Sequence, residues 1–524
     1  MTGVATTPVL HWPGKRPPAP GRLQNAHLVE WFHPTQRNPA GAAADGNALF
    51  GGDNLNVLTH LLAHGARGKV KLIYIDPPFH TGMEHRRKVR LRMPKARAMQ
   101  TSADAVIGAQ AQYDDRWPDG GYLQFIYDRL PLLRDLLAED GSLWLHCDHR
   151  QAHHLRVLLQ EVFGAGNYLN TVVWRSQVPR GAKVNAFYFP FSAHYLEIFA
   201  RDRRAPTTWN APRKQTVLSE AEAARAYLRD ERGFFRTSDP GTYSFARLQR
   251  LHAEGRLYAP YGGEVIIDET ARRVYASNGG NIGVKYYLKP ARGGKWAVER
   301  GVDNLWDDIP GLGVTPGEDL GYPTQKTEAL LERVIRTATN PGDLVLDCFM
   351  GSGTTLAVAQ RLGRRWIGCD NNLGALQTAR RRLQADAARD SSAPGIAIYR
   401  LGDDLRPPGE LLEATVQIER SPDDATCVTV AIIEVTSPAL RELLARFEGT
   451  GVQTPLDWRV LVDCVTIDPD YDGAVLRGAL VDAPRKKSAQ VAGVYTFSAP
   501  AHPVTVAVRI TDLLGAEALI TARV

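Results

Sequence analysis

Short apolar runs alternate with stretches of helical periodicity along much of this chain. The runs are rich in β-branched and aromatic residues, which is typical of buried strands, and apolar residues recur at helical spacing between them. Strands are predicted at 70–75, 142–147, 168–174, 194–200, 343–346 and 366–369. Helices are predicted at 54–64, 122–138, 153–163 and 328–337. Two more helices are predicted, one that begins at 355 and one that follows the strand at 366–369 and ends at about 387. This alternation predicts an α/β fold with a doubly wound, mostly parallel sheet.

The alternation breaks down in three places. Residues 1–45 are rich in Pro, Gly and Ala with little periodicity, which is typical of a flexible N-terminal arm. Residues 202–320 are polar and rich in Arg, Gly and Tyr, so they predict an insertion between two α/β segments at 46–201 and 321–400. Residues 405–524 carry β-branched runs separated by Pro, Gly and Asp turns, which predict a small, mostly β C-terminal domain.

Two motifs lie just past predicted strands. Ile75-Asp76-Pro77-Pro78-Phe79 ends the first strand, and the segment DCFMGSGTT at 347–355 ends the strand at 343–346. In open α/β sheets, ligands bind beyond the carboxyl ends of the strands. An acid and an aromatic residue fixed by prolines predict a half-site for a planar amine, and a glycine turn predicts a half-site for a nucleoside cofactor.

The glycine turn joins a strand to a helix and lets the backbone approach a ligand closely. Asp370, 23 residues after Asp347, ends the next predicted strand and is placed to accept hydrogen bonds from a ribose diol. A dinucleotide site has a similar pattern, although Leu356 stands where its third glycine is expected, and a purely structural tight turn also fits. A P-loop is excluded because no Gly-Lys-Ser/Thr sequence follows.

The acid–proline–aromatic loop suits methylation of an amine. The exocyclic amine of a nucleobase is a weak nucleophile because its lone pair is delocalised into the ring. The Asp76 carboxylate and the Pro77 carbonyl would accept its hydrogens while the nitrogen attacks a methyl sulfonium, and the prolines fix this backbone. Phe79 offers a stacking face for a base swung out of the duplex. The chain has no Pro-Cys dipeptide, which argues against carbon-5 methylation of cytosine.

Composition narrows the class of protein. Hydrophobic residues make up 44% of the 524 residues, as in ordinary soluble proteins, and we find neither a bilayer-spanning stretch nor a signal peptide. Five scattered cysteines without a CxxC pair favour the reducing cytoplasm and argue against a disulfide framework or a four-cysteine zinc site. His149 and His153 have the spacing of a metal pair, but they fall at a strand-to-helix junction, so no metal site is predicted.

Positive charge is concentrated just after the acid–proline–aromatic loop. The net charge of the chain is +6, and residues 84–97 carry seven Lys and Arg residues against one acid. A solvated loop and a phosphate-binding loop both fit this charge, and the place of the segment beside a base-binding loop favours the second. We therefore predict phosphate contacts with duplex DNA for Arg86, Arg87, Lys88 and Arg90.

The chain resembles DNA amino-methyltransferases of the permuted (beta) group, in which the catalytic motif comes first and the cofactor motif last. It is particularly similar to the modification subunits of type III restriction systems and to related site-specific adenine methylases. The segments that carry the resemblance are GGDNLNVL at 51–58, KLIYIDPPFHTG at 71–82, SLWLHCD at 142–148, YPTQK at 322–326, GDLVLDCFMGSGTT at 342–355 and IGCD at 367–370.

The resemblance implies a role for each motif residue and S-adenosyl-L-methionine as cofactor. Residues 46–201 would form the catalytic half, 202–320 the target-recognition region and 321–400 the cofactor half. The chain differs from the family pattern at two positions. Phe79 stands where the family more often has Tyr, and Thr327 stands where Pro commonly follows the Gln-Lys pair. The implied catalytic residues are Asp76, Pro77, Pro78 and Phe79; the implied cofactor residues are Phe349, Gly351, Gly353 and Asp370, with Asp347 and Thr354 in support, Asp53 near the adenine, and Thr324 and Lys326 near the amino-acid end.

The leading hypothesis is a cytoplasmic adenine-N6 DNA methyltransferase of restriction-modification or phage defence. Its acid at position 76 favours adenine, because cytosine-N4 enzymes more often carry Ser there. Cytosine-N4 methylation is the alternative within the class, and a catalytically silent DNA-binding subunit of a defence complex is the alternative outside it. The expected partners are duplex DNA, a restriction or defence subunit and a second copy of the chain, and no role is predicted for the C-terminal domain.

Overall fold

The computed structural model describes residues 8–33, 35, 46–92, 106–179, 187–205, 207–390, 392–402, 412–445, 457–484 and 489–524. The chain divides into two compact units, one formed by Met1–Asn210 with Asn304–Val524 and the other by Ala211–Asp303. The second unit is narrower than the insertion expected at 202–320, because the chain from Asn304 onward belongs to the first unit. Among the described helices, none combines the length and the apolar character needed to cross a membrane.

The described helices and strands are numbered here in chain order. The helices are α1 Asn54–Ala63, α2 Gly121–Leu136, α3 Ala152–Phe163, α4 Glu220–Ala226, α5 Phe245–Ala253, α6 Glu328–Ala338, α7 Thr354–Arg361, α8 Leu373–Ala387 and α9 Pro438–Ala445. The strands are β1 Ala26–Phe32, β2 Asn47–Gly51, β3 Val70–Ile75, β4 Glu84–Arg90, β5 Val106–Asp114, β6 Leu137–Asp148, β7 Tyr168–Arg175, β8 Ala193–Ala200, β9 Arg213–Leu218, β10 Leu228–Asp230, β11 Gly233–Ser238, β12 Leu257–Tyr258, β13 Val265–Asp268, β14 Arg273–Ala276, β15 Gly283–Tyr287, β16 Lys289–Ala291, β17 Lys295–Gly301, β18 Leu305–Trp306, β19 Leu344–Asp347, β20 Arg365–Asp370, β21 Ile396–Leu401, β22 Glu413–Arg420, β23 Cys427–Thr436, β24 Val462–Asp468, β25 Leu476–Arg477, β26 Leu480–Asp482, β27 Val494–Ser498, β28 Thr505–Asp512 and β29 Glu517–Arg523.

The first unit is built on an eleven-stranded sheet in the order β18-β7-β8-β6-β3-β19-β20-β2-β21-β1-β25. Its six central strands, from β6 to β21, are parallel to one another. The chain leaves β3 towards β6 and leaves β19 towards β20, so the direction of winding reverses between β3 and β19. Right-handed crossovers then put α1, α2 and α3 on one face and α6, α7 and α8 on the other. The doubly wound, mostly parallel sheet predicted from the sequence is confirmed.

The mostly parallel sheet contains antiparallel strands towards both of its edges. β8 lies antiparallel between β6 and β7, and β1 lies antiparallel to β21. β1 also corrects the expected N-terminal arm, because Ala26–Phe32 is a strand of the main sheet with a buried carboxyl end. Before it, Lys15 pairs with Glu161 at 2.7 Å. Residues 1–7, 34 and 36–45 of the expected arm lie outside the described residues.

The basic segment predicted as a loop is a strand. β4 pairs antiparallel with β5 to form a two-stranded ribbon, hereafter the basic ribbon, whose connection at 93–105 lies outside the described residues. Side chains alternate along β4: Arg86 and Lys88 are exposed, whereas Val89 is buried. Basic side chains that seemed equivalent by charge therefore face different surroundings.

The C-terminal residues form the predicted β structure, and it packs on the main sheet through buried charges. A three-stranded sheet, β22-β23-β27, and a four-stranded sheet, β26-β24-β28-β29, enclose an apolar core. Arg509 of β28 donates to both carboxylate oxygens of the buried Glu30 of β1, at 2.6 and 2.8 Å. Arg92 and Arg381 pair with the buried Asp463 of β24. This domain is therefore bound to the α/β sheet by interior ion pairs.

The unit Ala211–Asp303 has its own small sheets and cores. Its strands form the sheets β10-β11-β15-β12, β16-β17-β9 and β13-β14. One core lies around Phe234, Leu288 and Val298, and another around Leu251, Leu257 and Val284. The short helix α4 begins with a capping box. The Ser219 side chain accepts from the backbone N–H of Glu222, and the Glu222 side chain accepts from the backbone N–H of Ser219.

Candidate active site

The two sequence motifs meet where the winding of the sheet reverses. β3 and β19 are hydrogen-bonded neighbours, with Ile73 opposite Leu346, so Asp76 and the glycine turn leave the sheet side by side. A cavity of about 320 Å³ opens at this point. Crevices at such reversal points are where open α/β sheets bind ligands. The residues predicted from the sequence that line it are Asp53, Asp76, Pro77, Pro78, Phe79, Thr324, Lys326, Asp347, Phe349, Gly351, Thr354 and Asp370.

The two carboxylate oxygens of Asp76 have different surroundings. Its Oδ2 accepts an ion-paired hydrogen bond from Lys326 Nζ, which also donates to the Thr324 carbonyl at 3.0 Å. Its Oδ1 is buried and has no hydrogen-bond partner among the described residues. Burial raises the pKa of Asp76 above its ordinary value, and Lys326 partly opposes that shift. The site therefore holds a buried acceptor, 3.7 Å from His146 Nδ1, whose hydrogen-bonding capacity is unsatisfied among the described residues.

Phe79 is held against a wall of histidines. Its ring centroid lies 5.5 Å from that of His194 in an edge-on contact and 5.7 Å from that of His146. His146 is buried and hydrogen-bonds Tyr74 Oη through Nδ1 at 2.7 Å and His194 Nδ1 through Nε2 at 2.9 Å. Burial lowers the pKa of His146 well below its ordinary value. One face of the pocket beside Asp76 is consequently aromatic and neutral.

The glycine turn is shaped by Asp347. Its carboxylate accepts from the Phe349 backbone N–H at 3.0 Å and from Thr355 Oγ1 at 2.6 Å. Burial raises its pKa to about 7. Gly351 has φ +50°, and a Cβ there would lie 3.1 Å from the ring of Tyr322, which also lines the cavity. The turn therefore brings backbone to the cavity wall, as the sequence predicted.

Gly353 serves a different purpose from the one predicted. It does not line the cavity. Its φ is +73°, and a Cβ there would lie 2.8 Å from the Cβ of Ala379 in α8. The space beside Gly353 is therefore used for packing of α8, a role that the sequence did not predict. Thr354 lies next to it and accepts from Arg382 at 3.1 Å.

Carboxylates surround the end of the cavity beside β20. Asp370 accepts from the backbone N–H groups of Gly351 at 3.1 Å and Asn372 at 2.9 Å, and burial raises its pKa to about 6. Asp53 caps α1 by accepting from Leu55 N at 2.8 Å. Arg129 lies 3.6 Å from Asp53 and is stacked over Phe125. This end offers several acceptors to a ligand that carries hydroxyl or amine donors.

The ribbon contributes cavity residues that the sequence analysis missed. Gln112 of β5 is buried, and its Nε2 points at the carbonyls of Gln110 and Ala111, at 3.3 and 3.2 Å. Its Oε1 has no partner among the described residues. Tyr113 bonds Thr324 through their hydroxyls at 3.1 Å, and Thr324 itself has φ +59°. Nothing local in the sequence marks these residues, because long-range pairing of β4 with β5 brings them to the cavity.

The four basic residues predicted to bind DNA are not equivalent. Arg87 is turned inward: its Nη2 donates to Gln110 Oε1 and to the Leu513 carbonyl, both at 2.8 Å, and burial lowers its pKa. Its predicted phosphate contact is therefore wrong, because the guanidinium joins the ribbon to the C-terminal domain. Arg86 and Lys88 are exposed, although Arg86 pairs with Glu84 at 3.1 Å, and Arg90 is half-buried.

The histidines considered as a metal pair have other contacts. The His149 ring stacks on the Phe191 ring with their centroids 3.5 Å apart, and the ring centroids of His153 and His154 are 3.9 Å apart. In the described part of the chain, no group of three or more His, Cys, Asp or Glu residues has a metal-binding arrangement. The described cysteines are all free thiols.

Comparison with known proteins agrees with the motifs. The DNA methylase family N6_N4_Mtase matches residues 70–381, which is more than half of the chain. The matched residues contain both cavity motifs and end within α8.

Two curated relatives cover similar parts of the chain. The type II methyltransferase M.EcaI of Enterobacter cloacae is 28% identical over 357 residues, which are 64% of this chain and 69% of that protein. The EcoPI Mod subunit, a type III restriction-modification enzyme subunit of Escherichia phage P1, is 25% identical over 383 residues, 62% of this chain and 56% of the subunit. The chain thus spans little more than half the length of this type III relative. Among solved structures, the M1.HpyAVI–SAM complex is 17% identical, covering 64% of this chain and 98% of that chain with a TM-score of 0.33.

Proposed function

The chain belongs to the N6_N4_Mtase family of DNA methylases, and from that membership we propose that it methylates the N6 amine of adenine in duplex DNA. S-Adenosyl-L-methionine is the proposed methyl donor. The observation that carries the proposal is the meeting of Asp76 and the glycine turn of β19 in one cavity. A DNA-binding subunit without activity would have no need for a buried, unsatisfied carboxylate oxygen beside a pocket of this size.

The cavity suits the proposed cofactor. Asp370 and Asp53 supply acceptors for ribose hydroxyls and the adenine amine, and the orphaned Gln112 Oε1 is a further acceptor in the same wall. Asp347 and Asp370 place two buried carboxyl groups in the cavity wall, and burial raises their pKa values to about 7 and about 6. A bound cation would favour their ionised forms and be attracted to them, whereas an anion would be repelled. When bound, S-adenosyl-L-methionine supplies a methyl group on a positively charged sulfur.

The amine of the target base is proposed to donate to Asp76 Oδ1 and to the Pro77 carbonyl. Both acceptors draw the amine hydrogens out of the ring plane, so the nitrogen lone pair becomes available to the methyl carbon. The nitrogen would gain the methyl group as the bond from that carbon to sulfur breaks, which leaves S-adenosyl-L-homocysteine. The nitrogen would also lose one proton, for which the Asp76 carboxylate is a suitable acceptor. Lys326 holds the other oxygen of Asp76 and keeps the carboxylate oriented.

Phe79 is proposed to stack on the flipped base. Its tilted contact with His146 and its edge-on contact with His194 hold the ring in position before the base arrives. A base entering between this wall and Asp76 would leave an aqueous environment for an aromatic one, and such stacking contributes about 1–3 kcal/mol per base. Phe79→Trp should therefore retain activity that Phe79→Ala loses.

Adenine is preferred to cytosine because the loop begins with an acid. The cytosine-N4 reaction presents a similar exocyclic amine to the same acceptors and remains the second candidate.

The separate unit Ala211–Asp303 is proposed to recognise the target sequence, and the type III relatives suggest a restriction subunit as a partner. Association with a second copy of the chain is also proposed.

The product nucleoside tests the proposal. Purified protein is incubated with unmethylated plasmid and genomic DNA and labelled S-adenosyl-L-methionine, and the digested DNA is analysed by mass spectrometry. N6-methyladenine is expected; N4-methylcytosine would favour the second candidate, and unlabelled DNA would support a silent subunit. Asp76→Ala should abolish transfer while calorimetry with S-adenosylhomocysteine gives a nearly unchanged Kd. Equal loss of cofactor affinity would mean that Asp76 belongs to the cofactor half-site.

A further inference from the structure

Four aromatic side chains are exposed in the short segment before β8. Phe187 is 99% exposed and Phe189 96%, while Tyr188 and Phe191 are 58% and 56% exposed. We name residues 187–191 the aromatic tip. Clustered exposed apolar groups of this kind are unfavourable in water and mark contact surfaces in soluble proteins. None of the four has a role in the cavity described above.

The aromatic tip lies on the Phe79 side of the candidate active site. Register between β6 and β8 sets Asp148 opposite His194, so the start of β8 lies at the carboxyl end of β6. His194 contacts the Phe79 ring at 5.5 Å, and His149, just after β6, stacks on Phe191 at 3.5 Å. The contact with Phe79 and the contact with Phe191 are thus both made by residues at the carboxyl end of β6 and the start of β8.

The base of the tip is fixed, while two of its rings point away from the protein. Ser176 N donates to the Ser192 carbonyl at 3.0 Å, and Gln177 Nε2 donates to the Phe191 carbonyl at 2.8 Å. The ring centroids of Tyr188 and Phe191 are 6.1 Å apart. Phe187 and Phe189 are almost wholly exposed, so their rings are presented to solvent from an anchored segment.

Two arginines flank this surface. Arg150 follows β6 and Arg175 ends β7, and their side chains are 43% and 54% exposed. Each has a nearby carboxylate, Asp148 and Asp307, so they are oriented rather than freely mobile. Exposed aromatic rings bordered by guanidinium groups match nucleic acid, which offers base faces for stacking beside phosphates.

We propose that the aromatic tip inserts into duplex DNA beside the target base and stacks on the bases that remain. This inference rests on the proposed function, because it places the tip at the mouth of the base pocket. Removing a base from the stack costs a few kcal/mol, and apolar wedges inserted at a base step are a known way for proteins to hold the opened duplex. Phe187 and Phe189 are the wedge residues, and Phe191 with His149 forms their support.

Photo-crosslinking tests the contact directly. Full-length protein carrying p-benzoylphenylalanine at position 189 is irradiated with plasmid DNA, and a second sample carries it at position 433, where Ile433 is 50% exposed on β23. We expect a DNA adduct from position 189 and none from position 433. No DNA adduct at 189, or adducts only with a second copy of the chain, would overturn the proposal.

Methyl transfer tests the consequence. The double variant Phe187→Ala/Phe189→Ala should transfer methyl groups to plasmid DNA about tenfold to one-hundredfold more slowly. Its Tm and its Kd for S-adenosylhomocysteine should not change, because both side chains lie in solvent outside the cofactor cavity. Phe187→Trp/Phe189→Trp should restore the rate, and Ile433→Ala should leave it at the wild-type value.

The outcomes separate this inference from the proposed function. If the wild-type protein transfers no methyl group to DNA, the proposed function fails and this inference fails with it. If the wild type is active and the double Ala variant is equally active, the inference alone is overturned. Loss of activity that Trp does not restore would also overturn it, since stacking would then not be the property required.

Discussion

At the scale of single residues, the charge on Asp76 depends on one partner. The carboxylate is 16% exposed, and burial raises its pKa, so a substantial part of its ionisation depends on attraction to Lys326. Lys326 comes from a segment 250 positions away in sequence and is itself buried. It was expected near the amino-acid end of the cofactor, whereas its observed partner is the acid of the other half-site.

Replacing Lys326 should therefore change the pH dependence of methyl transfer. Without the ammonium, the pKa of Asp76 rises further, and the acidic limb of the kcat/KM profile should move to higher pH by about one unit per 1.4 kcal/mol of attraction removed. Lys326→Met should show this shift, and Lys326→Arg should retain most of the wild-type profile. The measurement is kcat/KM for methyl transfer between pH 5 and 9.

The cofactor affinity of the same variants separates the two roles. If Lys326 acts through Asp76, calorimetry should give similar Kd values for S-adenosylhomocysteine with the wild type and Lys326→Met. An unshifted pH profile together with a much weaker Kd would instead assign Lys326 to the amino-acid end of the cofactor.

At the scale of elements, the two glycines of the turn hold different neighbours apart. Gly351 faces Tyr322 in the cavity, whereas Gly353 faces Ala379 of α8. Gly353→Ala should destabilise the fold by about 1–3 kcal/mol, because it combines a left-handed residue with a contact at 2.8 Å. Urea unfolding checks this value.

A double-mutant cycle with Ala379→Gly gives the control. Removing the Ala379 methyl group should relieve the contact but not the backbone strain, so the two changes should couple favourably. Strict additivity would indicate that the helix moves away without cost. Gly351→Ala, in contrast, should weaken S-adenosylhomocysteine binding more than it lowers stability.

The basic ribbon makes a second prediction at this scale. Arg86 and Lys88 are the exposed members of β4, so Arg86→Gln/Lys88→Gln should weaken binding to unrelated duplexes by similar factors. The slope of log affinity against log salt concentration should fall by about 0.9 for each phosphate that the variant no longer neutralises. The measurement is fluorescence anisotropy on two duplexes of different sequence over a range of salt concentrations.

Arg87→Gln is the matched variant for that experiment. Because Arg87 donates to the Leu513 carbonyl, its loss should lower Tm and leave the salt slope unchanged. A slope that falls with Arg87→Gln but not with the double variant would reverse the assignment of inward and outward residues.

The sequence predicted elements better than it predicted their partners. Local periodicity identified β3 and β19, and the motifs after them located the cavity, because apolar runs and turn residues act over short distances. Strand direction left no local signal, so β8 was predicted as a strand but its antiparallel direction was not. The alternating exposure of β4 has no counterpart in its sequence, because Val89 is the one apolar residue between Glu84 and Arg90. Gln112 and the pairing of Lys326 with Asp76 depend on contacts between distant segments, which one sequence does not reveal.

At the scale of the whole molecule, buried charges join the C-terminal domain to the methylase sheet. Although burial opposes ionisation, Arg509 and Arg380 hold the pKa of Glu30 below its ordinary value and that of Glu517 at about 2. Arg380 lies on α8, Arg509 on β28 and Glu30 on β1, so three parts of the first unit meet there. The domain is therefore expected to be needed for folding of the methylase core, whatever its further role.

Breaking this network should destabilise the protein strongly. Arg509→Met leaves Glu30 buried without its two hydrogen bonds from Arg509, and removal of one partner of a buried ion pair costs about 3–5 kcal/mol. Glu30→Gln/Arg509→Met removes both charges and should recover part of the loss.

The sign of the pH effect follows from the depressed pKa values of Glu30 and Glu517. Their contribution is present above the ordinary glutamate pKa and is lost as pH falls towards 2, so wild-type stability should decline over that range. Because the double variant lacks the Glu30 contribution, its decline should be shallower. Thermal unfolding of the three proteins between pH 3 and 7 measures both effects, and a single variant as stable as the wild type would show that water replaces the missing guanidinium.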